Sequence, residues 1–246
     1  MDEAPDPRSG GSASGQAPAV KVPKVITKAG LQIRAPWAAS IAGLLFAVMF
    51  TAGLVLLRNQ AVLDATSDAE LADYYGGGKD TAAVIGGLYL LPFAGVMFLW
   101  FVAVIRDQVG ELEDRFFATV FFGSGLLFVA TLFAAAAAAS TPTVAVRYLN
   151  MPPPSSDTFD MVRAFSYSLL FAFGTRAAAV FMIATATIGI KTGVFPRWFA
   201  WTGYLFGIIL LLAVTVWDWF VLVLPAWVAV VSVFILRRER ARQRAG

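Results

Sequence analysis

PWAASIAGLLFAVMFTAGLVLL, residues 36–57, runs without a charge from Pro36 to Leu57, between Arg34 and Arg58. A helix rises about 1.5 Å per residue and a bilayer's hydrocarbon is about 30 Å thick, so about 20 apolar residues cross it. This stretch is long enough, and it exceeds the roughly 7–15 residues of a secretory signal core. It therefore reads as a first membrane span and not as a cleavable leader.

Five further apolar stretches follow, over 82–105, 117–139, 165–189, 198–214 and 217–236. The last two are divided only by Val216, Trp217, Asp218 and Trp219. A single span across both would be nearly twice the bilayer thickness. Asp218 between two tryptophans reads as a turn at the membrane surface, which leaves the fifth span short. Composition supports the same solvent: 59% of residues are hydrophobic and 14% charged, against about 45–50% and 25% in soluble domains.

Charge gives the orientation. The N-terminal segment, the second and fourth loops and the C-terminal segment together carry 14 of the lysines and arginines, and the opposite side carries four: Arg58, Lys79, Arg147 and Arg163. Basic residues stay in the cytoplasm, so both ends are expected there. The sequence thus predicts an all-α polytopic transmembrane helical bundle, six spans, N-in and C-in. Residues 1–35 read as a disordered cytoplasmic tail with a basic juxtamembrane segment (Lys21, Lys24, Lys28, Arg34), 36–236 as the transmembrane domain, and 237–246 as a basic cytoplasmic tail. Trp37, Trp100, Trp198 and Trp201 fall near cytoplasmic ends and Trp217 and Trp219 at the external end, as interfacial anchors do. Trp227 lies mid-span.

Outside the spans, Ser67 followed by Glu70 is a capping box, so a short surface helix is expected up to Tyr75, broken by Gly76, Gly77 and Gly78. Asp80 after Lys79 rules out a phosphate loop, which needs Ser or Thr there. Residues 140–160, with Pro142 and Pro152-Pro153-Pro154, read as an extended connector. The second loop (Arg106, Asp107, Glu111, Glu113, Asp114, Arg115) reads as a solvated turn with local ion pairs.

Within the spans, Ala39, Gly43, Ala47 and Thr51 recur every fourth residue and present a flat face for close helix contact. Gly123, Gly125 and the alanines 134–139 mark the third span as a second candidate for the bundle centre. Pro92 and Pro225 remove backbone donors and crowd the carbonyls of Leu88 and Val221, so helix kinks are expected there.

The chain has neither histidine nor cysteine. That excludes thiol chemistry and the usual zinc sites, and no carboxylate lies centrally in a span, so no catalytic residue, metal or cofactor is expected. Arg176 is the informative residue. A central arginine costs about 2.5–3.5 kcal/mol on insertion scales and stays charged. It must meet water, acceptors or a headgroup. Thr175, Tyr89 and Tyr204 are the candidate polar companions. Two functions follow: transport or handling of a small molecule or lipid around Arg176, or a non-catalytic accessory subunit packing through small-residue faces. Expected partners are the bilayer, anionic lipid headgroups, and a membrane-protein partner or second copy, with no nucleic acid.

The stretches LYLLPFAGVMFLWFVAVIRD (88–107), EDRFFATVFFGSGLLF (113–128) and TIGIKTGVFPRWFAWTG (187–203) resemble a group of uncharacterised six-span integral membrane proteins of actinobacteria. The resemblance covers 36–236 and implies six spans and a bacterial plasma-membrane location. It carries no activity or site.

Overall fold

The computed structural model describes residues 35–58, 67–109, 115–191, 193, 196–212 and 218–245; these are almost all helical, with no strand among them. The helices are α1 (Ala35–Arg58), α2 (Asp68–Gly76), α3 (81–109), α4 (Arg115–Leu149), α5 (Ser156–Lys191), α6 (Arg197–Leu212) and α7 (Val223–Ala245), the last preceded by a 3₁₀ turn, Asp218–Leu222. Five are long and apolar enough to cross a membrane; α6 is apolar but only 16 residues long. Residues 1–34 of the expected tail, Glu111, Glu113, Asp114 and Trp217 lie outside the described residues, as does the side chain of Asp107.

Neighbouring long helices run antiparallel. Gly43 faces Phe101 while Gly53 faces Leu91; Gly125 faces Val102 while Gly87 faces Ser140; Gly174 approaches Thr131 while Gly125 approaches Phe181. Gly203 meets Ala186 and Trp227, and Gly43 meets Ser232. Alternation through six helices brings the first and last to one end, where Trp37 and Arg237 lie. Cation–π contacts bind the ends: Arg58 sits 5.2 Å over Trp219 at one, and Lys191 sits 4.1 Å over Phe117 and Arg106 4.7 Å over Phe122 at the other.

The small-residue face of α1 works as its spacing suggests at its start: Ala39 and Gly43 are buried, and a Cβ on Gly43 would stand 2.1 Å from Ser232 Oγ. Backbone closeness gives dispersion contact where lipid supplies no hydrophobic drive. The third predicted span divides: Gly125 is buried against Val102 and Phe181, whereas Gly123 faces open space. The centre belongs to phenylalanine. Phe46, Phe98, Phe101, Phe121, Phe128 and Phe181 are at most 1% exposed, and Phe98 lies 4.7, 5.1 and 4.9 Å from the rings of Phe46, Phe128 and Phe181.

Trp37, Trp100, Trp198 and Trp201 are exposed, and Trp219 is exposed at the opposite end. Trp227 is buried, stacked on Phe199 at 5.6 Å in space left by Gly203.

One expectation needs correction. Residues 140–149 are not an extended connector. Helix α4 passes through Pro142 and ends at Leu149, where Asn150 adopts φ 54° and Met151 N–H closes on the Ala145 carbonyl at 3.0 Å. That left-handed cap, not the proline, stops the helix, and the connector shrinks to 150–155. Pro225 lies in the first turn of α7, directly after the 3₁₀ turn Asp218–Leu222, a position that tolerates a missing N–H. The basic tail from Arg237 is a helical continuation of α7 as far as Ala245.

Candidate functional site

Pro92 and Arg176 each follow a π turn. In α3, residues Val84–Leu90 are π-helical, and the Leu91 N–H donates to the Gly86 carbonyl. Pro92 cannot donate to Leu88, and the wider turn just before it absorbs that loss. Gly86 and Gly87 let the turn lie close to α1 on one side and α4 on the other.

In α5 the π turn is Ser168–Gly174, closed by the Thr175 N–H on the Leu170 carbonyl. A π turn holds one extra residue and puts carbonyls out of step with the α ladder. Two side chains answer them. Buried Thr175 donates its hydroxyl to the Phe171 carbonyl at 2.6 Å, and the Arg176 guanidinium donates to the Ala172 carbonyl. The arginine thus lies back along its own helix, in the direction helical side chains lean. By helix rise its Cα stands about 22 Å from Lys191, a shorter distance than the about 30 Å thickness of a bilayer's hydrocarbon. It is half-buried, and no ion pair among the described residues engages it. A guanidinium has five N–H donors; one is committed here.

The other predicted companions are not gathered there. Thr175 adjoins Arg176 but spends its hydroxyl on the backbone. Tyr204 Oη pairs with Thr187 Oγ1 at 2.8 Å, about 16 Å farther along α5 by helix rise. Tyr89 projects outward from the π turn of α3 and is 54% exposed.

A polar cluster that sequence reading did not assemble sits at the Arg58 end. Asp80, 3% exposed, takes a contact from Arg147 at 3.2 Å. The capping box at Ser67 and Glu70 starts α2, which lays Leu71, Tyr74 and Tyr75 against Phe159 and Val146. The Ser156 N–H donates to Asp68 at 2.7 Å, which lowers the carboxyl's pKa. Burial, with Tyr75 and Asp80 beside it, pushes the Tyr74 phenol up to about 12. Burial raises Tyr75 too, opposed by a hydrogen bond with Thr143. Nearby, Ser140 Oγ is fully buried without a partner, aimed at Gly87. The lone basic residue Arg147 after an apolar helix was the available signal, but the helix's extension past Pro142 had to be known to use it.

Comparison with protein-family models, with curated proteins and with solved structures gives no match.

Proposed function

We propose that this chain is a six-span protein of a bacterial plasma membrane, both termini cytoplasmic, that binds and handles an anionic lipid at Arg176. The orientation rests on the basic residues crowding one side of the sequence. The six-span reading treats α6 as a short span, and fits the resemblance carried by residues 88–107, 113–128 and 187–203.

The observation that carries the reading is the state of Arg176. It is half-buried in an apolar helix, with one of its N–H donors satisfied by Ala172 and no acid among the described residues paired with it. A phosphodiester offers the planar fork two oxygens at once. The neighbouring exposed residue is Phe173, a surface for acyl chains and not for a soluble ion.

The test is lipid retention by the full-length protein, extracted from vesicles of phosphatidylcholine and phosphatidylglycerol and read by native mass spectrometry. Phosphatidylglycerol is expected to be retained selectively, and Arg176→Gln to weaken it about tenfold, the value of a charge-assisted hydrogen bond. Inorganic phosphate in excess is expected not to displace it. Equal retention by the variant overturns the reading.

The alternative, an accessory subunit, draws support from the phenylalanine cluster filling the bundle axis. A permeation path along that axis would have to part Phe46, Phe98, Phe128 and Phe181. Such a subunit would co-purify with a partner at fixed stoichiometry and show no dependence on Arg176.

A further inference from the structure

The two π turns have different causes. The one in α3 precedes Pro92, whose missing N–H is covalent and permanent. The one in α5 has no proline within it or just after it. Its residues, Ser168 to Gly174, suit an ordinary α turn apart from the terminal glycine. What distinguishes it is the pair that follows: the Thr175 hydroxyl on the Phe171 carbonyl and the Arg176 guanidinium on the Ala172 carbonyl. These are hydrogen bonds, and they can be withdrawn.

We propose that Arg176 is a switch as well as an anion contact: a phosphodiester on the guanidinium draws it off the Ala172 carbonyl, and the π turn relaxes to α geometry. This rests on the anion site proposed above. Taking the extra residue out of the turn shifts the helix register by one residue, a rotation of about 100° and about 1.5 Å along the axis.

The moving part is set by what holds each half of α5. Beyond the turn toward Lys191, Phe181 is wedged between Phe98 and Phe121, and Gly203 and Gly207 of α6 press on Ala186, Ile183 and Ala179. Before the turn, the segment stands outside the phenylalanine core: Ser166 Oγ donates to the Ala135 carbonyl at 2.8 Å, Ser156 N–H donates to Asp68, and Phe159 packs in a separate small cluster with Leu71, Tyr74 and Tyr75 of α2. The connector 150–155 carries no helix to resist the change. The segment 156–167 therefore turns while 175–191 stays.

The chain has no cysteine, so introduced pairs can be spin-labelled cleanly. One pair, Thr141→Cys with Met161→Cys, joins exposed positions on α4 and the outer segment of α5; the other, Phe116→Cys with Ile190→Cys, joins exposed positions near the opposite end. Distances are read by pulsed electron resonance in phosphatidylcholine vesicles with and without phosphatidylglycerol. Phosphatidylglycerol is expected to add a second population to the outer pair, displaced on the order of 5 Å for such a rotation of a helix about 10–12 Å wide. The inner pair is expected to stay constant, and Arg176→Gln to abolish the response. Thr175→Val leaves the guanidinium in place; it is expected to raise the second population without added lipid while retaining phosphatidylglycerol. Selective retention through Arg176 with an unchanged outer distance overturns the switch and leaves the anion site standing. Loss of Arg176-dependent retention overturns both. If Arg176→Gln does not fold, Thr175→Val decides, and an unchanged lipid-free distribution in that variant sinks the switch.

Discussion

Around Phe98 three aromatic rings close to within 5.1 Å. Around Ser140, nearer the Arg58 end of the same bundle, a hydroxyl is buried without a partner against a π turn. The first region is uniform α-helix and apolar packing. The second combines irregular turns, a buried carboxylate at Asp80 and a cap of short elements. Dense packing of well-ordered rings resists local change, whereas a region tied by separate hydrogen bonds can open piecemeal. The difference assigns rigidity to one half of the bundle and adjustability to the other.

The sharpest way to break that contrast is Phe98→Ala. It removes the ring that touches Phe46, Phe128 and Phe181 and is expected to cost about 3–5 kcal/mol, read as loss of stability in reversible unfolding from mixed micelles. A cost below about 1 kcal/mol, no more than a surface change, would mean the rings are not the keystone. Gly43→Ala comes next. Its Cβ would stand 2.1 Å from Ser232 Oγ, itself bonded to the Val228 carbonyl, and 2.8 Å from the Phe101 ring, so those side chains or helices must shift, at about 1–3 kcal/mol. The same assay reads it.

Ser140→Ala is expected to go the other way. Removing a buried hydroxyl that has no partner leaves stability unchanged or raises it by up to about 1 kcal/mol. A clear destabilisation would show that the hydroxyl has a native acceptor, and would erase the contrast with Ser232. The smallest effect is the pH dependence of the cap. Asp68 is held below its ordinary value of 3.8, so its contribution is present above that pH and lost as pH falls through the lowered pKa. Tyr74 is raised from 10.0 to about 12, so its neutral form supports the cap below pH 10 and fails as pH climbs toward 12. Hydrogen exchange of α2 amides is expected to accelerate at both extremes while α1 amides around Phe46 stay protected.

Much of this architecture was legible. The charge-free stretch 36–57 marked α1, Ser67 and Glu70 marked the start of α2, and the tryptophans marked the ends. Those signals are local: a run of apolar residues, a four-residue motif, a residue type. What escaped depended on partners distant in sequence or on cancelling preferences. Pro142 looked like a boundary because a proline usually is one; only the left-handed Asn150 eight residues on set the true end. Pro92 marked an irregularity in α3, but the π turn of α5 left no compositional mark. Arg176 was recognisable by its cost in lipid, but Thr175's bond to Phe171, Tyr204's attachment to Thr187 and the outward placement of Tyr89 are properties of helix rotation that residue types alone do not specify.

Helix α7 runs on through Arg237 and Arg240 to Ala245 without a break. About 12 Å of it lies past Arg237, at 1.5 Å per residue. A stiff shaft of that length transmits torque as well as position. Anything joined to it would be aimed by the bundle, and inserting one residue at the junction would swing that load about 100° around the shaft while lifting it hardly at all.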